Sequence, residues 1–426
     1  MVALAIHSRQ KPLQSIIQKV VRRNARLSAS RRALNYTVMD ELLNKKLELI
    51  NSFLSKSSNA DFSLLGITGG KILFYSYLHR AKKDNRYLIY AKQLLNDYIK
   101  DAHLKIHSIS YADGLVGLAS LIRHLQLNDF INSSYTISDD VIKCIYNYII
   151  DTIPNHNDDF FYGVGGALYL FLQDCLYDKN SKAWKLLPNV ISTLKQKGRP
   201  LFRNKDAELH NIQAGIPHGY ASWIILICKI YSLGIEKEQC LDILSNLTSY
   251  YIPYIYDSHN GDSFFPQTLK SNNEQTSIHS RLGWCNGDIP CLYALLTYSE
   301  VIGNEQIREM VIKLLIDVSK RRELDRYSVC DAGLCHGSAG IMYIFYKLYK
   351  KYKVKEFWES FIFWKQVTLS LGNSLENPTG YMKVSYDGTQ VIYKTSETFI
   401  EGIAGIGLSI IAILYGIDSW DDFLLL

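Results

Sequence analysis

With 426 residues, of which 47% are hydrophobic and 21% charged, the chain has the composition of a soluble globular protein. It is long enough for one large domain or two to three ordinary ones. Its longest apolar run, 402–417, holds 16 residues, short of the roughly 20 that a membrane span needs, and nothing resembles a secretory signal; a cytosolic protein is expected. The net charge of +6 is uneven: residues 1–39 carry eight Lys/Arg and no acid, leaving 39 basic against 41 acidic residues in the remainder. A body at net −2 has no nucleic-acid footprint.

In chain order, the basic head comes first. We read 1–39 as a basic N-terminal extension packed on the surface, and 40–426 as a single domain. The apolar residues Leu13, Ile16, Ile17, Val20 and Val21 among the arginines leave three alternatives: peripheral contact with a membrane, contact with an acidic partner, or a transit-like segment. Beyond the head, an internal repeat dominates. A Gly-x-x-Gly-like turn followed by about a dozen mostly apolar residues occurs seven times, starting at Gly66, Gly114, Gly163, Gly219, Gly287, Gly337 and Gly402. The spacing, 48 to 68 residues, accommodates two helices with their loops. Between these runs, amphipathic helical patterns are predicted near 40–54, 88–99, 139–151, 182–195, 239–250, 305–320 and 355–369. Seven hairpins of one apolar and one amphipathic helix predict an all-α fold, an α/α toroid with the apolar helices as the inner of two rings. Every inner-helix start would then gather at one mouth.

Two intervals exceed the period. Residues 252–283, with Pro253, Asn260-Gly261 and Pro266, read as a long irregular loop. Residues 371–399 contain alternating runs on both sides of Asp387-Gly388, the signal of a β-hairpin insert, expected near the mouth.

Eight cysteines are present, and in a chain without a signal peptide disulfides are not expected. Cys144, Cys175, Cys228, Cys240 and Cys291 sit in apolar helical patterns and read as core. Cys285 lies in Gly283-Trp284-Cys285-Asn286-Gly287, and Cys335 with His336 lies in Gly333-Leu334-Cys335-His336-Gly337. His218 occupies the same register in Gly215-Ile216-Pro217-His218-Gly219. Two Cys and two His from three turns of one type are the material of a catalytic zinc site. Adjacent residues on a regular helix cannot share a ligand, so Cys335 and His336 require irregular backbone ahead of the helix. Cys330 lacks the glycine register and reads as packing. Asp158 reads as solvated, and Asp113 and Glu401 as caps of the second and seventh inner helices.

The sevenfold glycine pattern, with Trp-Cys-x-Gly in the fifth copy and Cys-His-Gly in the sixth, resembles the lanthionine synthetase C family, lanthipeptide cyclases and their LanC-like relatives, over about residues 60–410. The resemblance implies zinc ligands at Cys285, Cys335 and His336. It implies an acid/base role for His218 and places Asp159 and Arg281 at two further functional positions. The sequence departs from the pattern at Ser222 and Pro290, which replace second glycines, and at Asn286, where an acid/base or substrate role is put in doubt.

The residue types suit the chemistry. A free thiol is only a few per cent thiolate at neutral pH; Zn²⁺ in an open Cys/Cys/His site can bind and deprotonate it. The expected reaction adds a cysteine of a dehydrated precursor peptide to dehydroalanine or dehydrobutyrine, giving (methyl)lanthionine rings. His218 or water would protonate the enolate, with Asp159 orienting the imidazole and Arg281 stabilising the enolate oxygen; for Arg281 a surface ion pair is the alternative. A dehydratase and an exporter of the same pathway are the expected partners. The rival readings are a LanC-like enzyme adding glutathione or another thiol, and a non-catalytic scaffold of a peptide-modification complex.

Overall fold

The structure, a computed structural model, describes residues 29–58, 61–155, 157–197, 212–255, 263–266, 268–269 and 280–426. All seven glycine-led runs are helices, each starting on the residue after its first glycine: α2 (Ile67–Lys82), α4 (Leu115–Leu127), α6 (Val164–Tyr177), α8 (Tyr220–Ser232), α10 (Asp288–Ile302), α12 (Ser338–Tyr352) and α14 (Ile403–Tyr415). Seven more helices alternate with them: α1 (Ala29–Leu54), α3 (Asn85–Lys105), α5 (Asp139–Thr152), α7 (Lys182–Lys197), α9 (Lys237–Tyr251), α11 (Glu305–Ser319) and α13 (Lys355–Leu371). The first set is buried nearly all round, as α6 and α14 show. The second set buries one stripe only, for example Ile142, Ile145 and Ile149 of α5. That difference sorts the helices into an inner and an outer ring. Outer helices α3, α5 and α11 carry side-chain caps: Asp84 accepts from Arg86 N, Ser138 from Val141 N and Asn304 from Ile307 N.

Both rings close. The last inner helix, α14, packs on α2 and α1, and the last outer helix, α13, packs on α1. A second closure runs through the loops ahead of the inner helices, each donating a backbone N–H to the next. Leu65 donates to Ala112 O (3.2 Å), Tyr111 to Phe161 O (2.9 Å), Phe160 to Pro217 O (3.1 Å) and Ile216 to Cys285 O (3.1 Å). Trp284 donates to Cys335 O (2.9 Å), Cys335 to Ile400 O (2.9 Å) and Phe399 back to Leu65 O (3.2 Å). This belt lines one mouth and satisfies loop backbone that would otherwise be buried unpaired. The second glycine of the repeat lets the first helical turn lie against its own loop: a Cβ on Gly340 would stand 1.9 Å from Leu334 O. In the fourth copy, Ser222 instead bonds Gly219 O (2.8 Å). In the fifth, Pro290 falls in the first turn, where no intrahelical N–H is needed.

The axis of the inner ring is filled by a 3₁₀ turn, Ser419–Leu424, packed among Tyr77, Tyr111, Trp284, Tyr343 and Phe399. The hairpin insert is present as β3 (Lys383–Tyr386) and β4 (Val391–Lys394), antiparallel with Tyr386 opposite Val391. Asp387 at its tip accepts from the N–H groups of Thr389 and Gln390, both at 2.9 Å. Its base is tied to the mouth, because Val384 N donates to Asp331 (3.1 Å) and Lys383 pairs with Glu401. Two short strands were not expected: β1 (Ile212–Gln213) and β2 (Thr268–Leu269) pair antiparallel, the second inside the stretch read as an irregular loop. Of the basic extension, residues 1–28 lie outside the described residues, and α1 starts at Ala29. Cys175, Cys228, Cys240 and Cys291 are buried, but Cys144 is exposed, since position 144 falls on the face of α5 away from its buried stripe. Among the described residues no helix is long and apolar enough to cross a membrane.

Candidate metal centre

The belt brings distant turns together. Both Trp284 N and Cys285 N donate to Cys335 O, at 2.9 and 3.0 Å, so the fifth and sixth loops run side by side. Gly283 makes that approach feasible: a Cβ there would lie 2.9 Å from the Cα of His336. Cys335 and His336 stand in a turn just ahead of α12, the irregular backbone that lets neighbours in sequence converge. The two Sγ atoms and an imidazole nitrogen all lie within 4.8 Å of one another, on half-buried residues. The S–S and S–N separations in a tetrahedral zinc site with Zn–S about 2.3 Å and Zn–N about 2.0 Å are roughly 3.5–3.8 Å, inside that limit. Cys330 is not in this group.

The electrostatics agree with a ligand set. Hydrogen bonds from Cys335 and His336, helped by the charges of His336 and Arg281, hold the Cys285 thiol well below the usual thiol range in spite of burial. The Cys335 thiol, hydrogen-bonded to Cys285 and buried, is pushed well above it. Burial opposes a charge on His336, yet its hydrogen bond to Cys285 and the charges of Cys285 and Asp331 raise it overall. A thiolate beside an imidazole and a second thiol is a donor set that fits a soft divalent cation.

Next around the belt, Phe160 N and Phe161 N both donate to Pro217 O, which sets the third loop against His218. Asp159 uses both carboxylate oxygens. Oδ1 accepts from Phe161 N and Tyr162 N, each at 2.8 Å, and Oδ2 lies 2.6 Å from His218 Nδ1. That bond, with the charges of Asp159 and Cys285, raises the His218 imidazole above its ordinary value against the effect of burial. Phe161 meets the His218 ring edge-on at 5.6 Å, and Tyr162 lies parallel to it at 6.2 Å. Arg281 is half-buried, and its charge acts on Cys285, Cys335 and His336. The six residues singled out from sequence thus form one electrostatically linked group.

Some neighbours behave otherwise than expected. Asp158 is buried rather than solvated. Lys197 Nζ stands 3.0 Å from both its oxygens, and burial pushes the carboxyl up to about 6 in spite of that pair. Its carbonyl takes the indole N–H of Trp223 at 2.7 Å, so Asp158 pins the third loop to α7 and α8 while Asp159 turns to the mouth. Asp113 caps nothing, because Gly114 is the N-cap of α4 without a side-chain bond; its carboxylate takes the hydroxyls of Ser108 and Ser110. Glu401 likewise pairs with Lys383 instead of capping α14. Asn286 turns inward, with Oδ1 2.9 Å from Gly287 N.

Two supporting residues, Asp331 and Asp288, escaped sequence reasoning, and Trp284 entered it without a role. Asp331 accepts from Gly333 N (2.9 Å) and Val384 N, bracing the Cys-His turn against the hairpin. Asp288, fully buried at the start of α10, accepts from Phe264 N and Phe265 N at 2.9 and 2.8 Å and pairs with Arg321. Trp284 is held by its indole N–H. The glycine register marks positions 284 and 288, but it does not say what they touch.

The sequence profile described as lanthionine synthetase C-like protein matches residues 60–425. The chain belongs to that family. Among solved structures, this LanC-like chain is similar to one titled nisin cyclase, with a TM-score of 0.64 and 19% identity over 90% of this chain and 96% of that one; the two share the α/α toroid. A sugar epimerase from a ruminal bacterium is a remoter likeness, with a TM-score of 0.44 and 11% identity over 89% of this chain and all of the other. No curated protein matches the LanC-like chain in sequence.

Proposed function

We propose that this LanC-like protein is a zinc-dependent lanthipeptide cyclase, adding peptide cysteine thiols to dehydroalanine or dehydrobutyrine of the same precursor. The observation that carries the reading is the convergence of Cys285, Cys335 and His336 within 4.8 Å, with the His218–Asp159 pair at the same mouth. Cys285, Cys335 and His336 would hold the ion, which when bound supplies Lewis acidity that keeps a substrate thiol ionised at neutral pH.

The chain's own residues account for the remaining steps. Attack forms the C–S bond at the β-carbon, and the alkene electron pair moves into an enolate. His218, kept protonated to higher pH by Asp159, delivers a proton to Cα. Arg281 stabilises the enolate oxygen. The proton lost by the thiol balances the one gained at carbon, so the product has the mass of the substrate. Asp159, gripped by two backbone N–H groups, fixes the imidazole tautomer with Nε2 free for the transfer. A dehydratase and an exporter acting on the same peptide in the cytosol complete the proposal.

The test is incubation with a dehydrated, cysteine-containing peptide, followed by mass spectrometry and thiol counting. Loss of free thiol at constant mass is expected. A gain of one glutathione mass would instead favour the thiol-adding reading. Peptide binding without thiol loss, unchanged in Cys285→Ala, would favour a scaffold.

A further inference from the structure

Directly beneath the belt, the turn Ser419–Leu424 fills the axis and is gripped by residues from separate repeats. Trp284 Nε1 donates to Leu424 O (2.9 Å) and the Tyr111 hydroxyl to Phe423 O (3.1 Å). Tyr343 and Lys347 both hold the Asp421 carboxylate. Trp284 is fully buried and immediately precedes Cys285. Its ring packs on Phe161 (6.0 Å, 30° between planes), and Phe161 in turn meets His218 edge-on and binds Asp159 through its N–H. One indole therefore joins the axial turn to the thiol loop and, through Phe161, to the imidazole.

We propose that the Ser419–Leu424 turn is a positioning element for the metal centre: the Leu424 carbonyl fixes Trp284, and Trp284 fixes the Cys285 loop against Cys335. The physical reason is directional. Backbone bonds hold the fifth loop to its two neighbours, from Trp284 N and Cys285 N to Cys335 O and from Ile216 N to Cys285 O, but all of them are made within the belt and none reaches the axis. The indole N–H, aimed into the axis, supplies a fixed point outside the belt. Hydrogen bonds one layer behind metal ligands typically control about 10- to 100-fold in metal affinity.

The molecule contains its own control. Trp420 lies in the same turn and is also fully buried, packed on Tyr343 and Phe399, but its indole N–H has no acceptor among the described residues. Trp284→Phe and Trp420→Phe make the same change of ring, and only the first removes a bond to the axial turn. Zinc affinity of the full-length chain is measured by chelator competition, with thermal unfolding alongside.

The expected result is an affinity loss of about 10- to 100-fold for W284F and none beyond threefold for W420F, at similar cost in Tm. W284F within threefold of wild type, or W420F falling as far, overturns the proposal. Should W284F yield no folded protein, Y111F, which frees the Phe423 carbonyl, is read against the same limits. The inference rests on the metal-site reading. A wild type that takes up no zinc overturns both, whereas wild-type binding that W284F leaves unchanged overturns the axial role alone.

Discussion

The loops ahead of α10 and α12 and those ahead of α2, α4 and α14 share one backbone. All donate to their neighbour in the belt, and all lead into a helix through glycine. They differ in the side chains carried at the acceptor position. In the fifth and sixth loops the accepting carbonyls belong to Cys285 and Cys335; elsewhere they belong to Leu65, Ala112, Phe161, Pro217 and Ile400. The belt is thus a scaffold indifferent to what it displays, and the candidate metal centre lies where adjacent loops display thiols. Histidines divide the same way. His218, beside the candidate metal centre, is raised by Asp159, while His124, buried against Phe423 with Tyr77 OH 2.8 Å from its Nε2, is pushed down by burial to about 4.

The comparison breaks most directly at the acceptor position. Cys285→Ala is expected to lower turnover by more than about a thousandfold and to abolish zinc uptake, because two ligands cannot retain the ion; metal analysis and thiol counting read both. Ile400→Ala occupies the equivalent slot of the seventh loop and should leave zinc stoichiometry intact, costing about 2–3 kcal/mol of stability in denaturant titration. If Ile400→Ala released zinc, the slots would not be independent. Next in size, His218→Asn is expected to reduce kcat about a hundredfold or more while zinc remains bound, and equal loss of metal would remove His218 from proton transfer.

The contrast between the two histidines is sharpened by pH. The folded chain keeps His124 neutral down to about pH 4, whereas an unfolded histidine protonates near 6.5. As pH falls from about 6.5 towards 4, the unfolded state therefore binds the extra proton and stability is lost, by up to about 3 kcal/mol. Asp158 and Asp421, raised to about 6, act with the opposite sign over much of that range. The effect is isolated as the change in the wild-type minus His124→Phe stability difference between pH 7 and pH 4.5. A difference that stays constant would show that His124 protonates in place. The smallest effect is expected for Asp159→Asn, about tenfold in kcat, with the alkaline limb of the pH–rate profile moved to lower pH, because His218 would lose its proton earlier. An unmoved limb would leave the Asp159–His218 bond without a catalytic role.

Much of this architecture was legible because it is written in local chemistry. Glycine register gave the start of every inner helix, and apolar spacing separated inner from outer partners. Asp-Gly between alternating runs marked the hairpin. What misled was adjacency. Asp158 stands beside Asp159 and reads as solvated, but the third loop's contact with α7 buries it against Lys197, while Asp159 meets His218 as expected. Asp113 and Glu401 stand where caps belong, but glycine takes the N-cap position and nearby hydroxyls or Lys383 claim the carboxylates.

The sequence by itself determined the double ring, its sevenfold count and the residues set ahead of each inner helix, since these follow from periodicity and from the backbone freedom of glycine. Only the tertiary structure decided which loops lie side by side, which side chains face the mouth, and that the turn Ser419–Leu424 fills the axis beneath Cys285. Those outcomes depend on hydrogen bonds between residues tens to hundreds of positions apart, and no local pattern encodes where such a bond will end.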